Sequence, residues 1–398
     1  MMGNISGRSF YIVALCIFSQ SSTAQDSAAK ERAISAGVSI QQIYDSNFSQ
    51  TEIEDEEQIT LTSAGVGFKK NFSRQQILAR GRVSNYAHNN YSEFDSTIGD
   101  AQLSWKGKWL SQINTEVEAL RNDRLAERVE FFEKDIIRRD HAKVRLGYGN
   151  DGRLAFHVGA KKIKQGHSNF LRESLDFEEE IAFIDAGYKT ANASTLVLRL
   201  TSGDVIYINE DSEISRDSEI FPDIKYVARD LDFKYRQYEL ESVWAISSKT
   251  DLTFTLAQLD RDGFINDGSS EVAEFNIQWQ ATPKLKLQGS YSYRQPAVGE
   301  TSDSPANVQA YTISASWQLS EKFGLSSSAT AREKKYEYAD GDLAMIETLY
   351  NVSPFVLTYT PISALSIVLD TGWRENQSPL NYREYSSFQA ALSMKLLY

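Results

Sequence analysis

A single cysteine, Cys16, stands in the whole chain, close to its start. Beyond that point there is no thiol for a disulfide or a cysteine metal site. Proline is scarce at 7 of 398 residues, and because proline removes a ladder donor, its rarity leaves room for long unbroken strands. No apolar run is long enough for a membrane helix and the mean hydropathy is −0.42, which excludes a helical membrane protein. Positive charge is in deficit, with 42 Lys and Arg against 54 Asp and Glu and a net charge of −12. A basic footprint for nucleic acid is therefore missing.

Catalytic signatures are also missing. No HExxH, GxSxG or P-loop pattern occurs. Residues two apart share a face of a strand, so a Ser–His pair could be built that way. None of His88, His141, His157 and His167 has a serine two positions away. The expectation is a non-catalytic protein with no cofactor and no metal.

Aromatic residues are plentiful, with 20 Tyr, 20 Phe and 6 Trp, a balance suited to strands with aromatic girdles. The chain opens like a secretory signal: Arg8, an apolar core from Phe10 to Phe18, then Ser22-Thr23-Ala24. Cleavage is expected after Ala24, leaving 25–398 as one domain. Leu15 is too bulky for Cys16 to be a lipoprotein cysteine.

The repeating signal is period two. Thr60, Thr62, Ala64, Val66 and Phe68 share one face. Leu103, Trp105 and Trp109 do the same, as do Ala142, Val144, Leu146 and Tyr148, then Leu285, Leu287, Tyr291 and Tyr293, then Tyr311, Ile313, Ala315 and Trp317, and finally Leu365, Ile367, Leu369 and Trp373. Strand windows start near 33, 58, 75, 95, 111, 134, 152, 178, 194, 226, 251, 270, 284, 306, 322, 342, 364 and 381. Tight turns at 71–74, 149–152, 191–193, 247–250, 282–284, 320–322 and 360–363 alternate with long polar loops such as 45–57, 165–177 and 207–224. Short turns on one side and long loops on the other are the asymmetry of outer-membrane barrels. The fold expected is all-β: a transmembrane antiparallel up-and-down β-barrel of about 18 strands (range 16–18), in the bacterial outer membrane. In the long window 226–246 the apolar face shifts from Phe233 and Tyr235 to Tyr238, Leu240 and Trp244, which suggests a β-bulge.

Three acidic runs, at 52–57, 178–180 and 210–219, read as solvated loops, with divalent-ion bridging to lipopolysaccharide as the functional alternative. If the apolar set faces lipid, the alternate set faces the lumen. That set includes Arg80, Arg82, Lys106, Glu116, Glu118, Arg139, Arg145, Arg236, Glu239, Arg294, Arg332 and Arg374, with Lys143, Glu241 and Lys286. Two readings stay open: a self-neutralising ladder that keeps a wide barrel hydrated, or a polar path for a sugar polymer. Most aromatics are expected on the lipid face or in loops. The last strand carries Phe388, Ala390, Leu392, Met394, Leu396 and a terminal Tyr398 on one face, and resembles the C-terminal signal read by the barrel assembly machinery.

The stretch Ser39-Ile40-Gln41-Gln42-Ile43-Tyr44-Asp45-Ser46-Asn47-Phe48, followed by Leu61 to Phe68 and a turn into Ser73-Arg74-Gln75-Gln76, resembles the exopolysaccharide-operon outer-membrane proteins (EpsL-like, within the putative β-barrel porin 2 group). The family usually has Leu-Phe-Arg after its Asn, whereas Phe48-Ser49-Gln50 stands here. The resemblance implies a pore that passes or exports a polysaccharide, with export-system components as partners beside outer-membrane lipid and lipopolysaccharide. A general diffusion porin for small solutes is the alternative; an outer-membrane hydrolase or deacylase is a third. With the N-terminus in the periplasm, 45–57 is the first surface loop. Asp211 is then expected outside the cell and Asp151 in the periplasm.

Overall fold

The structure is a computed structural model that describes residues 33–109, 112–149, 153–192, 194–209, 213–214, 226–298, 300, 306–336 and 345–398. The signal segment 1–24, Asp151, Asp211 and most of the third acidic run lie outside the described residues. Nine strands come first: β1 (Ile34–Asp45), β2 (Glu57–Phe72), β3 (Gln75–His88), β4 (Ser96–Trp109), β5 (Ile113–Leu125), β6 (Ile136–Tyr148), β7 (Leu154–His167), β8 (Phe177–Lys189) and β9 (Thr195–Tyr207). A two-residue ribbon, β10 (Glu213–Ile214) and β11 (Tyr226–Val227), interrupts them. Nine more complete the set: β12 (Phe233–Ser247), β13 (Thr250–Gly263), β14 (Gly268–Gln280), β15 (Leu285–Arg294), β16 (Ala306–Gln318), β17 (Phe323–Tyr336), β18 (Ile346–Ile362), β19 (Leu365–Gln377) and β20 (Tyr385–Leu397).

Apart from the ribbon, each strand pairs antiparallel with its chain neighbours, and β1 pairs with β20, so the 18-stranded sheet closes. Each sequence window holds one strand. The largest shift in a start is from 226 to Phe233, because Ala228–Leu231 forms a 3-10 turn before β12.

Alternation explains the wall. Outward positions carry Val66, Leu103, Val144, Leu198, Ile313 and Leu392, each more than half exposed. Such an apolar belt is untenable in water and suited to lipid. Trp105, Trp109, Trp244, Trp279 and Trp317 lie toward the short-turn end, where Tyr148, Tyr188 and Phe323 join them. Neighbouring outward rings meet, as in Phe323 and Tyr359 with centroids 4.6 Å apart, adding cross-strand stabilisation of about 0.2–1 kcal/mol per pair. Both described strand ends of the closure, Ile34 and Leu397, lie at the short-turn end.

Two expectations need correction. No bulge divides Tyr235 from Tyr238; the register of β12 runs unbroken from Phe233 to Ala245. Phe233 and Tyr235 point inward while Tyr238, Leu240 and Trp244 point outward, so both faces carry aromatics. Tyr235 lies against Gly203 on β9, where a Cβ would collide with its ring. The irregularity in β12 falls later, between Ala245 and Ser247, and β18 has one between Val352 and Phe355, where Pro354 has no N–H to give the ladder. The second acidic run is not a loop either. Glu178 and Glu180 face outward to Lys162 and Lys164, while Glu179 faces inward and accepts from Tyr235 Oη at 2.6 Å.

Cysteine labelling tests the orientation. A cysteine at Glu93, in a long loop, is expected to react with an impermeant maleimide on intact cells. One at Lys249, in a short turn, should react only after the outer membrane is breached. The reverse pattern overturns the orientation.

Candidate functional site: two loops across the lumen

Eighteen strands make a barrel too wide for wall side chains to fill. Two loops enter that space. The first, residues 126–135 between β5 and β6, reaches β17, almost diametrically opposite in the strand order, and the turn before β20. Arg332 holds Glu127 with two bonds of 3.1 and 2.8 Å. Lys334 donates to Glu130 at 2.5 Å, and Arg383 donates to the same carboxylate at 3.2 Å. Arg383 also grips Glu347 at 2.5 and 2.9 Å, and Tyr336 donates to Glu347 at 2.8 Å. Carboxylates and cations balance, the condition under which buried charge is tolerated. On its other side the loop sends Arg128 over the ring of Phe48, whose carbonyl accepts from that guanidinium. Its base is fixed by Asp135, which accepts from Ser168 N at 2.9 Å and Arg172 Nη1 at 2.8 Å.

The second loop, between β15 and β16, crosses the other way. Val298 is 1% exposed in a cluster with Leu175, Phe177, Val205, Tyr207, Leu231 and Phe233. Tyr207 Oη donates to its carbonyl at 2.6 Å. Glu300 then reaches the wall of β5 and β6, accepting from Arg139 at 3.0 Å through its carboxylate and from Arg124 at 2.7 Å through its carbonyl.

Below the loops the wall is a ladder. Arg82 pairs with Asp100 at 2.5 Å, and Gln102 donates to Glu118 at 2.7 Å. Glu116 lies between Lys106 at 3.4 Å and Lys143 at 3.5 Å. Asp185 receives His157 at 2.5 Å, Arg145 at 3.5 Å and Arg199 at 3.7 Å. Arg199 continues to Glu239 at 2.5 Å and Glu241 at 3.6 Å. Arg80, Lys286, Arg294 and Arg374 also take inward positions. Arg236 does not. With no bulge before Tyr238 it shares the outer face, is exposed, and stands opposite Asp260 and Ser202. Lys106 is 40% exposed and Arg80 is exposed, so this wall meets open space. An apolar groove of about 490 Å³ bordered by Ala101, Leu103, Ala119 and Ala142 is on the outer face, away from the lumen.

The histidines give partial hydrolase geometry. His88, His157 and His167 each set Nδ1 against an aspartate, Asp95, Asp185 and Asp176. No serine or threonine hydroxyl bonds to these rings in the hydrogen bonds of the described residues. Among the described residues no cluster of three or more metal-ligating side chains occurs.

The motif Asp45-Ser46-Asn47-Phe48 has a structural task. Asp45 accepts from Asn47 N at 3.0 Å, from Gln389 at 2.7 Å and from Ser387. Asn47 donates to Ser386 O at 3.1 Å. These bonds fasten β1 to β20, and Phe48 receives the first crossing loop.

Neither a protein-family model nor a curated protein matches the sequence. Solved structures match the fold. OpdK of Pseudomonas aeruginosa with vanillate superposes with a TM-score of 0.50 at 9% identity, covering 92% of this chain and 99% of that one. OccAB4 of Acinetobacter baumannii gives 0.47 at 10% identity over 93% and 99%. A mutant of PfeA, the ferric enterobactin receptor of P. aeruginosa, in complex with enterobactin gives 0.49 at 8% over 92% and 81%. The chain is an outer-membrane β-barrel: a closed eighteen-strand sheet with a lipid-facing apolar belt.

Two predictions follow from the crossing loops. Breaking a buried ion pair costs about 3–5 kcal/mol, so Arg383→Met should speed amide exchange in 126–135 by about a hundredfold at the lower bound of that cost. Unchanged exchange would show that the network does not hold the loop. The second concerns acid. Burial opposes ionisation of Glu300, but Arg139 and Arg294 outweigh it and lower the pKa from 4.5 to about 2. Glu127 and Glu130 are lowered in the same way, burial again being outweighed by Arg332 and Lys334 in the first case and by Lys334 and Arg383 in the second. A depressed carboxylate stabilises the folded state above its unfolded pKa, and that contribution is lost as pH falls through the folded value. Single-channel current fluctuations should therefore rise between pH 4.5 and about 2. Glu300→Gln should show them at neutral pH.

Proposed function

We propose that this protein is a diffusion pore for small polar solutes, with the two crossing loops dividing the passage. The observation that carries the reading is the charged inner wall beneath those loops, where Arg80 and Lys106 remain solvent-accessible rather than packed. The loops are tied by ion pairs to points on the opposite wall, so they divide the passage without moving freely in it.

Passage of an exopolysaccharide is the second reading, and it rests on the resemblance at 39–48. Residues at the end of that stretch already serve the closure of the barrel. Two loops across the lumen also subdivide the path a polymer would need. Inward aromatics that could stack on sugars do exist, among them Tyr86 near the long-loop end of β3 and Phe183 midway along β8. Hydrolase chemistry has the His–Asp half of a relay as its only support.

Planar-bilayer recording separates the readings. A stable open conductance, insensitive to added polymer, is expected. A closed barrel, or one whose current only a polysaccharide blocks, would overturn the diffusion reading. A clean gene deletion is expected to leave surface polysaccharide unchanged.

A further inference from the structure

From β4 to β8 the inner wall alternates in charge from strand to strand, through Lys106, Glu116 and Lys143, and it ends with Lys161 and Glu179. The alternation fails at one step. Lys143 on β6 and Lys161 on β7 stand directly opposite each other on the same face. Like charges in that relation destabilise a strand pair. The next inward positions on β6 add more positive charge rather than relief, since the groups acting on His141 are Lys161, Lys143 and Arg139. His141 Nε2 is itself buried without a hydrogen-bond partner. Each lysine has a carboxylate on its far side, Glu116 for Lys143 and Glu179 for Lys161, but neither carboxylate lies between them.

The same wall shows how such charge is relieved. Two inward positions further up from Lys143, Arg139 is met by Glu300, a carboxylate carried by the loop between β15 and β16. Glu300 also acts on Lys161 from a distance, but among the described residues no carboxylate forms an ion pair with Lys161 or lies between it and Lys143.

We propose that Lys143, Lys161 and His141 form a binding site for a compact oxyanion, a carboxylate or phosphate group of a solute in the lumen. The two ammonium groups supply charge and the imidazole supplies a directional donor or acceptor at Nε2. Such a group placed between the lysines removes the like-charge repulsion as it binds, so binding stabilises the barrel. Its part in transport rests on the pore reading; the binding itself does not.

The test is thermal unfolding of the refolded barrel in inorganic phosphate against chloride at matched ionic strength. The wild type is expected to unfold at a higher temperature in phosphate. Lys161→Gln should be more stable than the wild type in chloride, because the repulsion is gone, and should bind phosphate at least tenfold more weakly. Lys143→Gln, the second variant, should lose the phosphate response as well. Lys286→Gln, on the far wall, should keep it. Equal phosphate responses in the wild type and both site variants overturn the site. So does an equal loss in Lys286→Gln, which would mean general attraction to a charged lumen. Bilayer recording with the same preparations keeps the two ideas apart. A folded barrel that shows the phosphate response but passes no current sinks the pore reading and leaves the site standing.

Discussion

Every backbone N–H and C=O in the hydrocarbon layer must find its partner inside the protein, so the sheet has to close. Here closure rests on one seam, between the first strand and the last. Its outer end is fastened by side chains: Asp45 to Ser387 and Gln389, Asn47 to the backbone at Ser386. At its other end the backbones of Ala36 and Tyr398 exchange bonds of 3.0 and 2.8 Å. Partners separated by 342 positions meet only when nearly the whole chain is present. The entropy of closing so long a loop grows slowly with length. A few well-satisfied polar groups at the seam can therefore specify its register.

Closure by eighteen strands creates a second problem. The interior is too wide to be filled from the wall, and water enters. Charged residues on that wall keep their hydration, and cross-strand partners keep them from repelling one another. The crossing loops lie in drier surroundings at their anchoring points. Glu347 is 3% exposed, and it accepts from Arg383, Tyr336 and Ser378, so its charge is met several times over. Glu127 faces the lumen, with a side chain 42% exposed, and is met by one bidentate arginine with Lys334 standing 4.0 Å away. The number of partners follows the loss of water.

The strand pattern was legible because the lipid imposes it on every crossing, with apolar side chains at every second position. Turn lengths told which ends belong together. The crossing loops were not legible. Glu127 and Arg332 are 205 positions apart, and nothing local to 126–135 marks it as different from any other polar loop. The inward aromatics misled in a definable way. Phe233 and Tyr235 look like lipid-facing residues, a pattern that implies a bulge and puts Arg236 in the lumen. The clue that would have corrected this was Gly203, a small residue on the neighbouring strand that makes room for Tyr235. The acidic triplet 178–180 misled for a related reason. Three like charges in a row suggest a solvated loop, yet a strand sends alternate members to opposite faces, where different partners meet them.

The two crossing loops are held by different physics, and this bears on how each behaves. Across the lumen, loop 126–135 is anchored by carboxylates on arginine and lysine, interactions that depend on protonation. The second loop has an apolar anchor as well, Val298 beneath Tyr207 and Leu231, which neither acid nor salt removes. Neutralising Glu300 therefore changes where the tip of this loop sits rather than whether the loop enters the barrel. One crossing is thus ionic at its far end, while the other, in its described residues, combines an apolar foothold with an adjustable ionic contact at Glu300. The adjustable contact is made to Arg139, on the strand that also carries Lys143, so charge on the loop and charge on the wall are set against each other in the same part of the lumen.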